Sequence, residues 1–139
     1  MVELHHIPMP PSVNNYYATI KIGGRLRRIK SRDANAYEAA MRRWAFTFLD
    51  SIKRAKEFLK GLTPGMVLAL HVDFFFPREK IFTKKNTPKR NDTSNRIKAL
   101  HDQICMILGI DDCYIFDGSF TKRVGLEGCS LRLEFVTVL

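Results

Sequence analysis

The sequence predicts an α+β protein in which a mixed β-sheet packs against two main helices within a single domain, residues 1–139. Three observations support this fold class. The chain has 139 residues, 45% of them hydrophobic, which is enough for one core. Two long segments carry apolar residues at helical spacing, and several shorter runs are rich in Val, Leu, Ile and Phe, as strands are.

The N-terminal part is predicted to hold a short strand, a basic segment and a long helix. Residues 4–7 form the strand, which nearby prolines end. Residues 21–32 carry six cations and no acid, and Gly23-Gly24 marks a hairpin or a flexible tip. Ser31 is a suitable N-cap for a helix over residues 33–60. Its apolar stripe is expected to pack on the sheet and to consist of Ala36, Ala40, Trp44 and Phe48.

The C-terminal part is predicted to hold the best strand, a second helix and two further strands. Residues 66–76 are almost continuously apolar, which favours a central position in the sheet. The helix spans residues 93–108, ends at Gly109 and buries a stripe of Ile97, Leu100, Ile104 and Leu108. The last strands cover residues 114–124 and 130–138, with a turn between them.

The positive charge of the chain indicates which kinds of partner it binds. A formal net charge of +9 favours a nucleic-acid partner, although proteins that bind membrane surfaces share such values. A second basic segment, residues 78–98, has eight cations against two acids. The three cysteines form neither an even disulfide set nor a CxxC pair, which suits a reducing cytosol. No apolar run is long enough to span a membrane, so we expect a cytoplasmic protein.

One cluster of polar residues carries potential chemistry. At 100° per residue, Asn95, Lys98 and Asp102 fall within roughly 60° of the second helix, away from its apolar stripe. Asp92 precedes this helix, and Asp111-Asp112 follow it. Carboxylates and amides are the oxygen ligands that Mg²⁺ and Mn²⁺ prefer, so the cluster predicts metal-assisted chemistry on phosphates.

A simpler interpretation fits the same spacing about equally well. Asp92 would cap the helix, Lys98 and Asp102 would form an ordinary i,i+4 ion pair, and Asp111-Asp112 would form a solvated turn. The sequence contains no Walker loop, dinucleotide fingerprint or nucleophile elbow, so ATPase, oxidoreductase and covalent hydrolase activities have no local support.

Two separated motifs resemble the RusA family of Holliday-junction resolvases. The stretch from Ile7 to Tyr17, IPMPPSVNNYY, is similar to the family's P-P-S-x-N pattern followed by aromatic residues. The stretch from Asp92 to Lys98, DTSNRIK, with the later Asp111-Asp112, is similar to its D-x-D-N-x-x-K helix motif and D-D pair. The resemblance covers most of the chain and implies a RusA-like fold.

The resemblance also implies roles for individual residues. It makes Asp92, Asp112, Lys98 and Asn95 catalytic, with Mg²⁺ or Mn²⁺ as cofactor. The metal ligands expected from the resemblance are Asp92 and Asp112 with the neighbouring Asp111, and Asp102 is a further candidate because it shares the helix face of Asn95 and Lys98. The implied activity is metal-dependent hydrolysis of phosphodiesters in four-way or branched DNA during recombination and repair, by a symmetric homodimer. The cations expected to contact DNA phosphates are Arg25, Arg27, Arg28, Lys30, Lys84, Lys85, Lys89 and Arg90.

The sequence departs from the family pattern at Ser94, where the family has a second metal-binding aspartate. A serine hydroxyl cannot replace the charge of a carboxylate. Asp102 is the expected compensating ligand. Two alternatives remain open: a protein that binds branched DNA without cutting it, and a nuclease for flaps or forks. Phe82 and Tyr17 are expected to pack against the protein, which is favoured over insertion of either ring at the junction centre.

Overall fold

The chain forms an α+β fold, as predicted. The computed structural model describes residues 1–90 and 93–138. In chain order its strands and helices are β1 (Val2–Ile7), β2 (Tyr17–Ile22), β3 (Arg25–Lys30), α1 (Arg32–Thr47), α2 (Leu49–Leu59), β4 (Met66–Phe76), α3 (Arg78–Ile81), α4 (Ser94–Leu108), β5 (Ile115–Val124) and β6 (Gly128–Thr137). Short 3-10 turns lie at Val13–Asn15 and Asp112–Tyr114.

The main sheet is mixed and has four strands in the order β1-β6-β4-β5. β4 pairs antiparallel with β6 and parallel with β5, which confirms its predicted central position. β5 and β6 are consecutive in the chain but are not neighbours, because β4 lies between them. β5 is therefore an edge strand, and its parallel pairing requires a long crossover, which α3 and α4 supply.

The two faces of β4 differ in polarity. The side chains that enter the core with the helices are Leu68, Leu70, Val72, Phe74 and Phe76. On the opposite face, His71 and Asp73 hydrogen-bond to Ser119 and Thr121 of the neighbouring strand β5. One face of the sheet thus packs against helices, and the other presents paired polar groups.

The predicted single helix over residues 33–60 is wrong, because the chain forms two helices that break at Phe48. The backbone of Phe48 leaves the helical region, with φ −107° and ψ 38°. The Thr47 hydroxyl donates to the carbonyl of Arg43, a contact that bends helices. The break lets the Phe48 ring stack on His6 of β1, with ring centroids 5.6 Å apart.

The predicted apolar stripe of this region is also wrong in part. The residues of α1 that are buried are Ala34, Tyr37, Met41 and Trp44. Ala36 is exposed, whereas Ala40 and Phe48 are half-buried. Trp44 alone belongs to both sets. The larger Tyr37 and Met41 side chains bury more apolar area than alanines do, so they decide which face of α1 packs inward.

The remaining elements agree with their predictions. Ser31 caps α1 by accepting a hydrogen bond from the Ala34 N–H at 3.1 Å. The basic segment forms a hairpin of β2 and β3, with Gly23 and Gly24 in the left-handed region at the turn. Leu100, Ile104 and Leu108 of α4 are buried and Ile97 packs beside them. No helix within the described residues is long and apolar enough to cross a membrane.

Candidate active site

A cleft lies between the β2–β3 hairpin and α4. Its volume is about 230 Å³, and its walls are formed by Tyr16, Tyr17, Arg28, Lys98, Ala99 and Asp102. The cleft is where the two motifs of the sequence meet. Arg96 of α4 donates to the Pro10 carbonyl at 2.7 Å, which ties the proline-rich segment to the helix. The fold therefore joins residues that are about eighty positions apart.

Lys98 and Asp102 share the wall that α4 contributes. The ammonium of Lys98 lies 3.4 Å from both carboxylate oxygens of Asp102, so the i,i+4 ion pair of the simpler interpretation is present. Both side chains are more than half exposed, and such pairs contribute little to stability. The pair is thus compatible with a second role, because both groups face the cleft and remain accessible to a phosphate.

Asp111 and Asp112 lie in the 3-10 turn that follows α4. The Asp111 carboxylate accepts a hydrogen bond from the Cys113 N–H at 2.9 Å, which holds the pKa of Asp111 below its usual range. Asp111 is therefore a turn cap, as the simpler interpretation expects.

Asp112 faces α4. Burial raises the pKa of Cys105 to about 11, and the negative charges of Asp112 and Asp102 raise it further. Burial also lowers the pKa of His101, and the same two charges oppose this effect. The charges of Asp102 and Asp112 thus both act on His101 and Cys105 of α4.

The first turn of α4 holds Asn95, a predicted catalytic residue, and Ser94, the position that departs from the family pattern. Ser94 is the first residue of the helix and is exposed, and Asn95 is half-buried in its first turn. Asp92 lies outside the described residues. Asn95 lies one turn before Lys98 on α4 but is not among the residues that line the cleft.

The residues present fit a hard divalent cation in chemical type. Asp102, Asp111 and Asp112 offer carboxylate oxygens, and all three side chains are exposed. Mg²⁺ needs only one or two protein carboxylates, because water and substrate oxygens complete its shell. Among residues 1–90 and 93–138, no group of three or more His, Cys, Asp or Glu side chains is arranged to hold a metal ion.

A hydrogen-bonded network behind the cleft was not predicted from the sequence. Glu38 of α1 is 13% exposed and accepts hydrogen bonds from the Tyr16 hydroxyl at 2.8 Å and the Lys30 ammonium at 2.7 Å. The amide of Gln103 on α4 lies 3.5 Å from the same oxygen. Glu38 of α1 thus connects the β2–β3 hairpin to α4. No local motif marks it, because its partners are distant in the sequence.

Replacing Glu38 by glutamine is expected to lower the free energy of unfolding by about 1–2 kcal/mol at neutral pH, because Lys30 loses an anionic partner. The hydrogen bond from Lys30, with help from Tyr16, holds the pKa of Glu38 below its usual value of 4.5. Such a group stabilises the fold above its unfolded-state pKa and loses that contribution as pH falls through the folded-state pKa. Urea unfolding should show the two proteins converging below about pH 5.

A matched control for this prediction is Glu57→Gln, because the Glu57 side chain is 73% exposed on α2. This variant should unfold like the wild type across the same pH range. A difference between wild type and Glu38→Gln that stays constant from neutral to acidic pH would contradict the ionised role of Glu38.

The eight cations predicted to contact DNA lie on two exposed segments, the β2–β3 hairpin and the loop after α3. The loop is ordered by backbone hydrogen bonds from Thr83 to Thr87 and from Lys89 to Ile81. Asn86 at its tip has a φ of 61°, a conformation that asparagine tolerates well. Three of the cations also contact the protein itself: Lys30 with Glu38, Lys89 with the Glu79 carbonyl, and Arg28 with the Tyr17 ring.

Comparison with known families agrees with this geometry. The sequence model of the family described as endodeoxyribonuclease RusA matches residues 8–134 of the 139-residue chain. The match spans both motifs, the cleft and most of the sheet. Among curated proteins, none matches the chain. The class indicated is therefore that of the endodeoxyribonucleases. Within it, the chain belongs to the RusA family.

Proposed function

We propose that this protein is a divalent-metal-dependent endonuclease that resolves Holliday junctions in recombination and repair by hydrolysing phosphodiesters. The whole chain, residues 1–139, would form the endonuclease domain. The observation that carries the proposal is the cleft in which Lys98 and Asp102 lie beside a basic hairpin, in a chain that belongs to an endodeoxyribonuclease family. A cleft lined by both charge signs can bind a phosphate and also hold the groups that act on it.

The carboxylates would hold Mg²⁺ or Mn²⁺. Asp92 and Asp112 are the proposed main ligands, with Asp111 and Asp102 assisting. When bound, the ion supplies positive charge at the phosphate and favours ionisation of water. The exposure of Asp102 and Asp112 supports this role, because both carboxylates are accessible to solvent and substrate.

The polar groups of α4 would act on the substrate directly. Lys98 would donate hydrogen bonds to a phosphate oxygen and stabilise the charge that develops there. Asp102 accepts from Lys98 in the free protein, so substrate binding would exchange this long contact for one to phosphate. Asn95, one turn before Lys98, would orient the site.

We also propose that Asp102 supplies the negative charge that is missing at Ser94. It lies two turns after the first turn of α4, on the cleft wall. Its negative charge would restore part of what the family's second aspartate provides. The Lys98–Asp102 pair is then both an ion pair and a part of the site.

The two basic segments would hold the DNA. The exposed cations of the hairpin and of the loop at residues 83–90 would contact backbone phosphates, which positions the substrate without reading its sequence. Opposed cuts across a four-way junction need two active sites related by two-fold symmetry, so we infer a homodimer.

We infer that the second subunit of this homodimer packs against the exposed edge strand β5. Phe116, Phe120 and Val124 are 67%, 42% and 52% exposed on this strand. Proteins rarely leave an apolar strand edge uncovered.

The test is cleavage of a labelled synthetic four-way junction beside a linear duplex of the same sequence, with Mg²⁺, Mn²⁺ or EDTA. We expect paired nicks in the junction that need the ion, and we expect Asp92→Asn to lose them. Asp33→Asn is the matched control, because Asp33 is an exposed aspartate of α1. Tight junction binding without cleavage under any ion would refute the enzymatic proposal and favour a non-catalytic binding protein.

A further inference from the structure

The Tyr17 ring and the Arg28 guanidinium form an exposed stack at the mouth of the cleft. The guanidinium carbon lies 4.0 Å from the ring centroid, and the ring is 43% exposed. The two residues are diagonal neighbours across the hairpin, since Arg28 pairs with Thr19. An exposed aromatic residue in a basic hairpin contributes little to a core. The exposed part of the Tyr17 ring is accessible to a ligand.

The stack is held rigidly from behind. The Tyr16 ring meets the Tyr17 ring edge to face, with centroids 5.2 Å apart. Tyr16 is itself buried and bonded to Glu38, and its carbonyl accepts a hydrogen bond from the Ser31 N–H at 2.9 Å. The Tyr17 ring therefore has contacts within the protein that favour its orientation before any ligand binds. Rigid aromatic groups bind at a low entropic cost.

The stack shares its cleft with Lys98 and Asp102. A volume of about 230 Å³ is below the range of roughly 300–1,000 Å³ typical of sites for drug-sized molecules. It suits one flat group that enters from a larger ligand. Aromatic rings and guanidinium planes are the surfaces on which proteins stack unpaired nucleobases.

We propose that Tyr17 and Arg28 bind an unpaired nucleobase adjoining the phosphate that is cleaved, and that they act as positioning residues for Lys98. This inference rests on the proposed function and deepens it by naming the feature of branched DNA that is recognised. A base at a branch point is unstacked at a lower cost than a base inside a duplex, so the cleft favours branched DNA over linear DNA. Stacking is tolerant of sequence because every base has a flat face.

The experiment measures binding to a four-way junction that carries 2-aminopurine beside the cleavage position, in Ca²⁺ or EDTA so that no cutting occurs. Wild type should bind the junction more tightly than a linear duplex and should change the fluorescence of the probe. Tyr17→Leu should weaken junction binding by about 5- to 100-fold and lose the fluorescence change, because the stacking contribution is removed. Tyr17→Phe should behave like the wild type.

Two further variants separate stacking from charge and from general effects on the surface. Arg28→Lys keeps the positive charge, so the salt dependence of binding should persist while the fluorescence change falls. Phe46→Leu removes another exposed ring, 82% exposed on α1, and should change nothing.

Equal junction binding and equal fluorescence for Tyr17→Leu and Phe46→Leu would overturn the proposal while leaving the proposed function intact. A wild type that prefers linear duplex would overturn both.

Discussion

Replacing Asp112 by asparagine is expected to reduce the cleavage of a four-way junction by about 100- to 1,000-fold, while junction binding stays within about threefold of the wild type. Asparagine keeps the shape of the side chain but removes the charge that would hold the cation. Asp112 is exposed, so the substitution should leave the fold unchanged. Single-turnover cleavage at saturating Mg²⁺ and a separate binding assay in EDTA measure the two effects.

A suitable control is Asp50→Asn, which removes the same charge from an exposed position in the first turn of α2. It should cleave at the wild-type rate. Equal loss of cleavage and binding in Asp112→Asn would show that this carboxylate supports the fold or the DNA contact rather than the chemistry. Full activity in the same variant would remove Asp112 from the site altogether.

Replacing Phe74 by alanine is expected to lower the free energy of unfolding by about 3–5 kcal/mol, because a buried aromatic ring is removed and a cavity remains. Phe74 is 0% exposed on the central strand β4, and its ring meets Phe120 of β5 edge to face at 6.2 Å. Domains of this kind are stable by only about 5–15 kcal/mol, so the loss is a large share of the total. Urea unfolding followed by circular dichroism measures it.

Phe46→Ala is the control for this prediction, because the same ring is removed from a site that is 82% exposed on α1. Its unfolding midpoint should lie near that of the wild type, within about 0.5 kcal/mol. Coincident unfolding curves for Phe74→Ala and Phe46→Ala would be incompatible with a helix-covered face on β4.

The elements with strong local signals were predictable from the sequence. The apolar run predicts β4, and the helical spacing of apolar residues predicts α4; both predicted elements agree with the structure to within about one residue. The break at Phe48 carries no such signal, because neither Gly nor Pro marks it. It accompanies the contact between Phe48 and His6, two residues that only the tertiary structure brings together.

The candidate site was predictable only in part, for a similar reason. Lys98 and Asp102 are one helical turn apart, so their shared face follows from the geometry of α4. The Tyr16–Glu38 contact joins positions 22 residues apart on different elements, and no spacing rule reaches it. The position of Asp112 relative to α4 likewise depends on how the turn after the helix folds, which helical spacing does not determine.

The pairing of β1 with β6 has a consequence for how the molecule folds. Val2 lies opposite Leu133, so this edge of the sheet joins the two ends of the chain. Contacts between such distant positions raise the contact order and slow the search for the native topology. β4, β5 and the helices between them can associate earlier, whereas β1 can join the sheet only after β6 is in place. During synthesis, β1 therefore has no sheet partner until β6 has also been made, and in that time it is exposed to non-native partners.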